Sequence, residues 1–157
     1  RYLELIAKNG LEQWSTARVA TLQPACQRWL CGQGHGESEA ESGAAEVVAA
    51  LATTLASDSG RWVLAEHTEA AAEQAWSSAE GDAAVNHVID RIFVVDGYRW
   101  IIDYKTVRLP EAELAKRAES YRPQLERYAG LFADARLPLR LAIFFPVQGR
   151  LVELSLR

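Results

Sequence analysis

Two aspartates and one lysine are the residues of this sequence whose types and spacing could do chemistry. Asp103 and Lys105 are separated only by Tyr104, and Asp90 lies upstream in another apolar stretch. Carboxylate oxygens are the ligands that hard divalent cations such as Mg²⁺ take. A lysine beside them can orient or deprotonate an attacking water and offset negative charge on a phosphate. If the fold brings these side chains together, they predict a metal-dependent hydrolytic site.

A tight turn at Asp96-Gly97 is the element expected to bring them together. The pair lies between two apolar, β-branched runs, and both central residues of a type I′ hairpin turn need positive φ. Counting outward from this turn gives the register Val95–Tyr98, Val94–Arg99, Phe93–Trp100, Ile92–Ile101, Arg91–Ile102 and Asp90–Asp103. Directly opposed residues have Cβ atoms about 4.5 to 5.5 Å apart, where like charges repel. Lys105 follows on the same face, about 6.6 Å further along the strand than Asp103.

The apolar neighbours of these charges bear on whether they form a metal site or a solvated ion pair. Most surface ion pairs stabilise a protein little. The predicted hairpin is apolar on both faces, which is typical of central strands covered by helices. One face carries Ile92, Val94 and Ile101 beside the acids, and the other carries Ile89, Phe93, Val95, Trp100 and Ile102. Charges embedded in such strands are costly unless paired or metal-bound, so we expect Asp90 and Asp103 to hold Mg²⁺ or Mn²⁺.

Three motifs, in this order, carry a resemblance to a known family. They are VIDRI at residues 88–92, WIIDYKT at residues 100–106 and QLERY at residues 124–128. The combination resembles the RecB-like branch of the PD-(D/E)xK nuclease superfamily. More narrowly, it resembles the C-terminal nuclease domain of AddA/RecB-type helicase-nucleases of bacterial double-strand-break repair, similar to exodeoxyribonuclease V beta.

The resemblance implies a fold and a role for each site residue. The fold is an α/β, restriction-endonuclease-like core with a central mixed sheet flanked by helices. Asp90, Asp103 and the backbone carbonyl of Tyr104 are implied metal ligands, and Lys105 is the implied catalytic lysine. Gln124 is implied to steady Lys105 or a phosphate, and Tyr128 to touch the nucleotide. The implied products are a 5′-phosphate and a 3′-hydroxyl.

The resemblance also implies a cellular role. It implies a DNA exonuclease of break processing and recombinational repair, supplied with single-stranded DNA by a helicase and joined to a partner helicase-nuclease subunit in the bacterial cytoplasm. Two alternatives remain: a catalytically silent nuclease-fold module that binds DNA or docks helicase subunits, and a scaffolding domain. The intact Asp90, Asp103 and Lys105 count against a module that only binds.

Length and composition predict one globular domain. The chain has 157 residues, of which 49% are hydrophobic, and we expect a helical flank at residues 1–60 and a catalytic core at residues 61–157. The chain lacks methionine, so we expect it to be excised from a longer polypeptide. The family resembled has a metal-coordinating histidine shortly before a Leu-Glu pair such as Leu3-Glu4, and we expect that histidine upstream of Arg1.

Charge and hydropathy narrow the function further. The formal net charge of −4 argues against a free-standing, high-affinity nucleic-acid binder, because counterion release needs clustered cations. Arg108, Arg117, Arg122 and Arg127 either face solvent or contact phosphate. No apolar run approaches the length of a bilayer span, so no membrane association is expected. Two cysteines, Cys26 and Cys31, cannot hold the four-cysteine iron-sulfur cluster of some RecB-like relatives and are expected to be buried.

The remaining segments predict the elements around the hairpin. Helices are expected at residues 2–9, 22–30 and 39–56, and another begins at Pro123, which should hold Arg122 extended. Strands are expected at residues 61–67, 140–147 and 151–156, with residues 68–82 as a variable excursion after the first strand. Glu66, on that first strand, is either an acid near the metal or, more simply, a polar residue at a strand end.

Overall fold

The computed structural model of the chain describes residues 1–80, 83–132 and 136–155. An N-terminal helical region precedes three strands, two helices and two further strands. The elements are α1 (Tyr2–Asn9), a 3₁₀ turn (Leu11–Gln13), α2 (Thr16–Ala20), α3 (Gln23–Gly32), α4 (Glu37–Ala56), α5 (Asp58–Leu64), β1 (Thr68–Glu80), β2 (Ala83–Val95), β3 (Tyr98–Tyr104), α6 (Glu111–Glu119), α7 (Arg122–Gly130), β4 (Leu139–Phe145) and β5 (Arg150–Leu154).

The strands form one mixed sheet. Their order is β1-β2-β3-β4-β5, with β3 parallel to β4 and every other neighbouring pair antiparallel. A parallel pair needs a crossover connection, and α6 and α7 lie in the segment that connects β3 to β4. The predicted central mixed sheet flanked by helices is confirmed.

Helices cover both faces of this sheet. On one face, sheet residues such as Ile101 and Ile143 pack with Leu114 of α6 and Leu125 of α7. On the opposite face, the N-terminal helices supply the packing partners of Phe93, Ile102 and Phe144, and these partners include Ile6, Val19, Leu51, Leu55, Val63 and Leu64. The apolar character of the central strands on both faces therefore matches their burial between two helical layers.

The hairpin between β2 and β3 has the predicted register. Asp96 and Gly97 have φ values of 51° and 78°, as a two-residue turn with two left-handed residues requires. The paired positions are Val95–Tyr98, Val94–Arg99, Phe93–Trp100, Ile92–Ile101 and Arg91–Ile102. The ladder ends there, one position before Asp90 and Asp103.

The prediction of a first strand at residues 61–67 is wrong. Residues 58–64 form helix α5, which begins at the N-cap Ser57, whose Oγ accepts a hydrogen bond from the Gly60 N–H at 3.0 Å. Val63 and Leu64 then bury against the sheet. A short apolar run fits a strand or one helical turn equally well, and here capping and packing favour the helix.

The segment interpreted as a polar excursion is the first strand. Residues 68–80 form β1, which pairs with β2 over almost its whole length. Alanine has low strand propensity, but pairing with the apolar β2 overrides it. Residues 81–82 of the predicted excursion and residue 156 of the last predicted strand lie outside the described residues.

Three smaller expectations are also corrected. Ile89 packs with Ile92 and Ile101 rather than on the Phe93 face, so the side chains of β2 do not alternate strictly at this point. Arg122 is not extended but is the first residue of α7. Cys26 is buried as expected, whereas Cys31 is exposed. Among the described residues, no helix combines the length and apolarity needed to cross a bilayer.

Candidate active site

The end of β3 carries the two charged side chains that the sequence places closest together. β3 lies between β2 and β4 in the middle of the sheet. The chain stays bonded to β4 beyond Tyr104, since the Lys105 N–H donates to Phe144 O at 2.9 Å. Because side chains alternate along an extended strand, Asp103 and Lys105 share one face. That face lies under α7, whose Gln124 contacts both residues.

Asp103 and Lys105 form an ion pair. Lys105 Nζ lies 2.7 Å from Asp103 Oδ2. Asp103 is only 3% exposed, whereas the Lys105 side chain is 23% exposed. The lysine therefore lies between a buried carboxylate and the solvent, where a substrate would approach.

Gln124 connects this pair to Tyr128. Its Nε2 donates to Asp103 Oδ1 at 2.9 Å and to Tyr128 Oη at 2.7 Å, and its Oε1 accepts from Lys105 Nζ at 3.1 Å. Gln124 and Tyr128 are one helical turn apart, so both point from the same face of α7. Four of the residues singled out in the sequence thus form one hydrogen-bonded network.

Asp90 joins the site from the neighbouring strand. Its Oδ2 accepts a hydrogen bond from the Tyr104 N–H at 2.7 Å. Asp90 lies just past the end of the β2–β3 ladder. Its carboxylate therefore accepts a hydrogen bond from a backbone N–H that would bond to the neighbouring strand if the ladder continued. The carboxylate of Asp90 therefore lies against the peptide group that joins Asp103 to Tyr104.

Comparison with known proteins agrees with this arrangement. The sequence profile of the PD-(D/E)XK nuclease superfamily matches residues 5–154. The chain belongs to this superfamily. A search of curated protein sequences gives no significant match. PD-(D/E)XK proteins are usually nucleases and generally use divalent metal ions. The mixed five-stranded sheet flanked by helices is the superfamily's α/β, restriction-endonuclease-like fold.

The surroundings of the Asp103 carboxylate indicate whether this PD-(D/E)XK site suits a divalent cation. Burial raises the pKa of the Asp103 carboxyl, while the contacts with Lys105 and Gln124 act in the opposite direction. The buried Oδ2 of Asp103 has Lys105 Nζ, at 2.7 Å, as its ion-pair partner among the described residues. A buried anionic oxygen with spare acceptor capacity, beside a second carboxylate, suits Mg²⁺ or Mn²⁺.

The backbone at Tyr104 fits the same donor set. In an extended strand, the N–H and C=O of one residue are directed to the same neighbouring strand. The Tyr104 N–H donates to Asp90, and the next N–H, that of Lys105, donates to β4. The Tyr104 carbonyl oxygen is therefore directed toward the Asp90 side of the strand.

Hydrogen bonds and the Lys105 ammonium already offset the repulsion between the two acids of the PD-(D/E)XK site. Asp90 accepts a backbone N–H, and Asp103 is paired with Lys105 and Gln124. In the part of the chain that the structure describes, no three Asp, Glu, His or Cys side chains converge as a metal-binding group. Glu66 lies in the connection between α5 and β1 and lines a cavity with Arg91, not with Asp103. The site therefore offers two carboxylates and a carbonyl.

Several arginines have structural roles that the sequence did not indicate. Arg91 is buried, and its guanidinium donates to Val63 O at 3.1 Å and to Ala65 O at 2.7 Å, at the end of α5. Arg122 is also buried and forms two hydrogen bonds of 2.8 Å with Glu119. Of the two interpretations offered for Arg122, neither a solvated face nor a phosphate contact fits this burial. Arg108, Arg117 and Arg127 are exposed.

Tyr121 is a contact of the site that sequence reasoning missed. Lys105 Nζ lies 4.7 Å from the centre of its ring. Tyr121 is far from Lys105 in the sequence and belongs to none of the three motifs, so no local pattern could have identified it. Its position depends on how α6 and α7 pack on the sheet.

Proposed function

We propose that this chain is a metal-dependent DNA exonuclease domain that hydrolyses phosphodiester bonds, with Asp90, Asp103, Lys105, Gln124 and Tyr128 as its catalytic residues. The observation that carries the proposal is the buried Asp103 Oδ2, which keeps spare acceptor capacity beside Lys105 in a PD-(D/E)XK fold. A carboxylate oxygen that is paired with one lysine can still bind a metal ion through its remaining lone pair.

The metal would be held by Asp90, Asp103 and the carbonyl oxygen of Tyr104. Both carboxylates and this carbonyl lie at the same end of β3. A bound Mg²⁺ or Mn²⁺ lowers the pKa of a coordinated water and stabilises negative charge on the phosphate. The chain itself supplies the geometry, because the two carboxylates are fixed by strand pairing and by α7.

Lys105 is the group that acts on the attacking water and the phosphate. Its ammonium is held by Asp103 and Gln124 on one side and reaches solvent on the other. Gln124 steadies both partners through one amide, and it orients the Tyr128 hydroxyl. With the amide fixed in this way, Lys105 and Tyr128 are positioned before DNA arrives, which lowers the cost of reaching a reactive arrangement.

A likeness to the nuclease domain of AddA/RecB-type helicase-nucleases extends the proposal. In the nuclease domains that the chain resembles, a metal-coordinating histidine lies near the start of the first helix. Here Tyr2 and Leu3 of α1 line a cavity of about 500 Å³ together with Thr106, the residue after Lys105. We infer a single domain that works in double-strand-break repair, receives a single strand from a helicase subunit and belongs in the bacterial cytoplasm. The net charge of −4 supports delivery of DNA by a partner.

Cleavage of end-labelled DNA tests the proposal. The wild-type chain should degrade linear DNA from an end with Mg²⁺ or Mn²⁺, and EDTA should stop the reaction. Asp90→Asn and Asp103→Asn should each lower the rate by about 100-fold or more, since outer-shell changes alone typically cost 10- to 100-fold. Glu66→Gln is the matched control and should keep wild-type activity, because Glu66 lies elsewhere.

Calorimetric titration with Mn²⁺ separates metal binding from catalysis. Wild type should bind Mn²⁺, and both aspartate variants should lose most of the heat. DNA binding without any cleavage by the folded wild-type chain would contradict the enzyme and favour the silent nuclease-fold module. Equal activity in Asp103→Asn and wild type would show that cleavage comes from another site.

A further inference from the structure

One aromatic ring at the candidate active site contacts two cations. Lys105 Nζ lies 4.7 Å from the centre of the Tyr121 ring, and Arg117 Cζ lies 5.3 Å from the same centre. A cation within about 6 Å of an aromatic face is attracted to it by the ring quadrupole. Tyr121 therefore links the buried end of the site, at Lys105, to Arg117 on the exposed side of helix α6.

The backbone holds Tyr121 firmly at this place. The residue lies between α6 and α7, where its N–H donates to Ala118 O at 3.0 Å. Its carbonyl oxygen accepts from the N–H groups of Gln124 and Leu125 at 3.0 and 3.2 Å. Because Gln124 also contacts Lys105, the same turn of chain positions two of the three side chains around the lysine ammonium.

Arg117 differs from the ion-paired arginines of this domain. Arg99, Arg122, Arg140 and Arg150 are each paired with a glutamate. Within the described part of the chain, the side chain of Arg117 has the Tyr121 ring as its contact and forms no ion pair. An exposed guanidinium beside a second cation is suited to an anion from outside the chain, and a DNA phosphate has the charge and the oxygen geometry that arginine binds.

We propose that Tyr121 is a positioning residue for Lys105 and that Arg117 binds a phosphate of the DNA strand next to the one being cleaved. This inference rests on the proposed function. The Tyr121 ring holds the ammonium toward Asp103 and Gln124, and it holds the guanidinium at the mouth of the site. A strand whose neighbouring phosphate lies on Arg117 then presents the scissile phosphate to Lys105.

Steady-state kinetics test the role of Tyr121. Tyr121→Leu removes the π face and should lower kcat by roughly 2- to 30-fold, the range expected from loss of a cation–π contact. The KM for DNA should rise by a smaller factor, because Arg117 keeps its charge when the ring is lost. Tyr121→Phe keeps the ring and should retain wild-type kcat. Urea denaturation gives the folded fraction of each variant, and kcat is expressed per folded molecule. Equal kcat values for Tyr121→Leu and Tyr121→Phe would overturn the positioning role.

Metal-free DNA binding tests the role of Arg117 independently of cleavage. The affinity of each variant for a fluorescent single-stranded oligonucleotide is measured by anisotropy in EDTA over a series of salt concentrations. Arg117→Gln should reduce the slope of log K against log salt by about 0.7, the value for one lost phosphate contact on a single strand. Arg140→Gln removes the same charge from another cation–aromatic pair, at Tyr98, and should leave the slope unchanged.

The outcomes separate this inference from the proposed function. If wild type cleaves DNA but Arg117→Gln and Arg140→Gln have the same salt slope, the phosphate contact is wrong and the nuclease stands. If wild type fails to cleave DNA but Arg117→Gln still lowers the salt slope by about one phosphate contact, the phosphate site stands and the proposed nuclease activity is wrong.

Discussion

Asp103 experiences opposing influences on its charge. Burial raises the pKa of its carboxyl, and the contacts with Lys105 and Gln124 lower it, with burial the larger effect. In the absence of metal, the folded protein therefore holds a proton on Asp103 at pH values where the unfolded chain, with a pKa of about 3.9, has released it. Metal binding needs the deprotonated form.

In EDTA, the Asp103 carboxyl should make the stability of the folded protein depend on pH. Because the folded state binds more protons, the contribution of Asp103 to stability is present below about pH 4 and is lost as pH rises through the raised folded-state pKa. Asp103→Asn should remove this loss. Urea denaturation at several pH values should show that the stability of wild type relative to the variant falls with rising pH. A difference that is constant or rises with pH would contradict the prediction.

At the scale of elements, Arg91 joins β2 to the end of α5. Its two carbonyl contacts, to Val63 and Ala65, tie the N-terminal helical layer to the strand that carries Asp90. A guanidinium at a helix C-terminus also interacts favourably with the helix dipole. Burial lowers the pKa of Arg91, so these hydrogen bonds are what make its charge tolerable inside the protein.

Arg91→Lys tests this connection. A lysine cannot reproduce the planar fork, so we expect a loss of about 1–3 kcal/mol of unfolding free energy from unsatisfied buried groups. Arg61→Lys, on the exposed side of α5, is the control and should change stability by less than about 0.5 kcal/mol. Urea denaturation measures both, and equal effects would mean that Arg91 does not join the layers.

The turn of the β2–β3 hairpin gives a second prediction at this scale. Gly97 has φ of 78° and open space where a Cβ would lie, so Gly97→Ala should cost about 1–2 kcal/mol from backbone conformation alone. Gly32 also faces open space but has no positive φ. Gly32→Ala should therefore be neutral or stabilising by up to about 1 kcal/mol. A neutral Gly97→Ala in thermal or urea unfolding would contradict the turn geometry.

At the scale of the whole molecule, the net charge of −4 and the carboxylates of Asp90 and Asp103 both favour cations. A cation that binds only the folded state stabilises it by RT ln(1 + [L]/Kd), about 2.7 kcal/mol at 100 times Kd. For a domain of this size, that corresponds to a rise in Tm of about 5–10 °C.

Thermal unfolding with Mn²⁺ near pH 7.5 therefore gives the last prediction. Wild type should gain this stabilisation at saturating metal, and Asp103→Asn should gain little. Glu66→Gln keeps the site and should follow wild type. The same rise in Tm for Asp103→Asn and wild type would place the bound metal elsewhere on the protein.

The sequence by itself determined the turn of the hairpin and the register of the strands next to it. Asp96-Gly97 specifies a turn because few residues adopt positive φ cheaply, and a two-residue turn fixes the register by counting. Strand alternation then puts Asp103 and Lys105 on one face, and helical spacing puts Gln124 one turn from Tyr128. These are local rules, and they do not depend on the rest of the fold.

Only the tertiary structure decided the contacts between distant segments. Residues 58–64 fold as a helix because Ser57 caps them and the sheet buries Val63 and Leu64, which an apolar run alone cannot reveal. The amide of Gln124 on Asp103, the Tyr121 ring on Lys105 and the guanidinium of Arg91 on α5 each join elements far apart in the chain. Such contacts depend on how helices pack on the sheet, and packing is a property of the whole core.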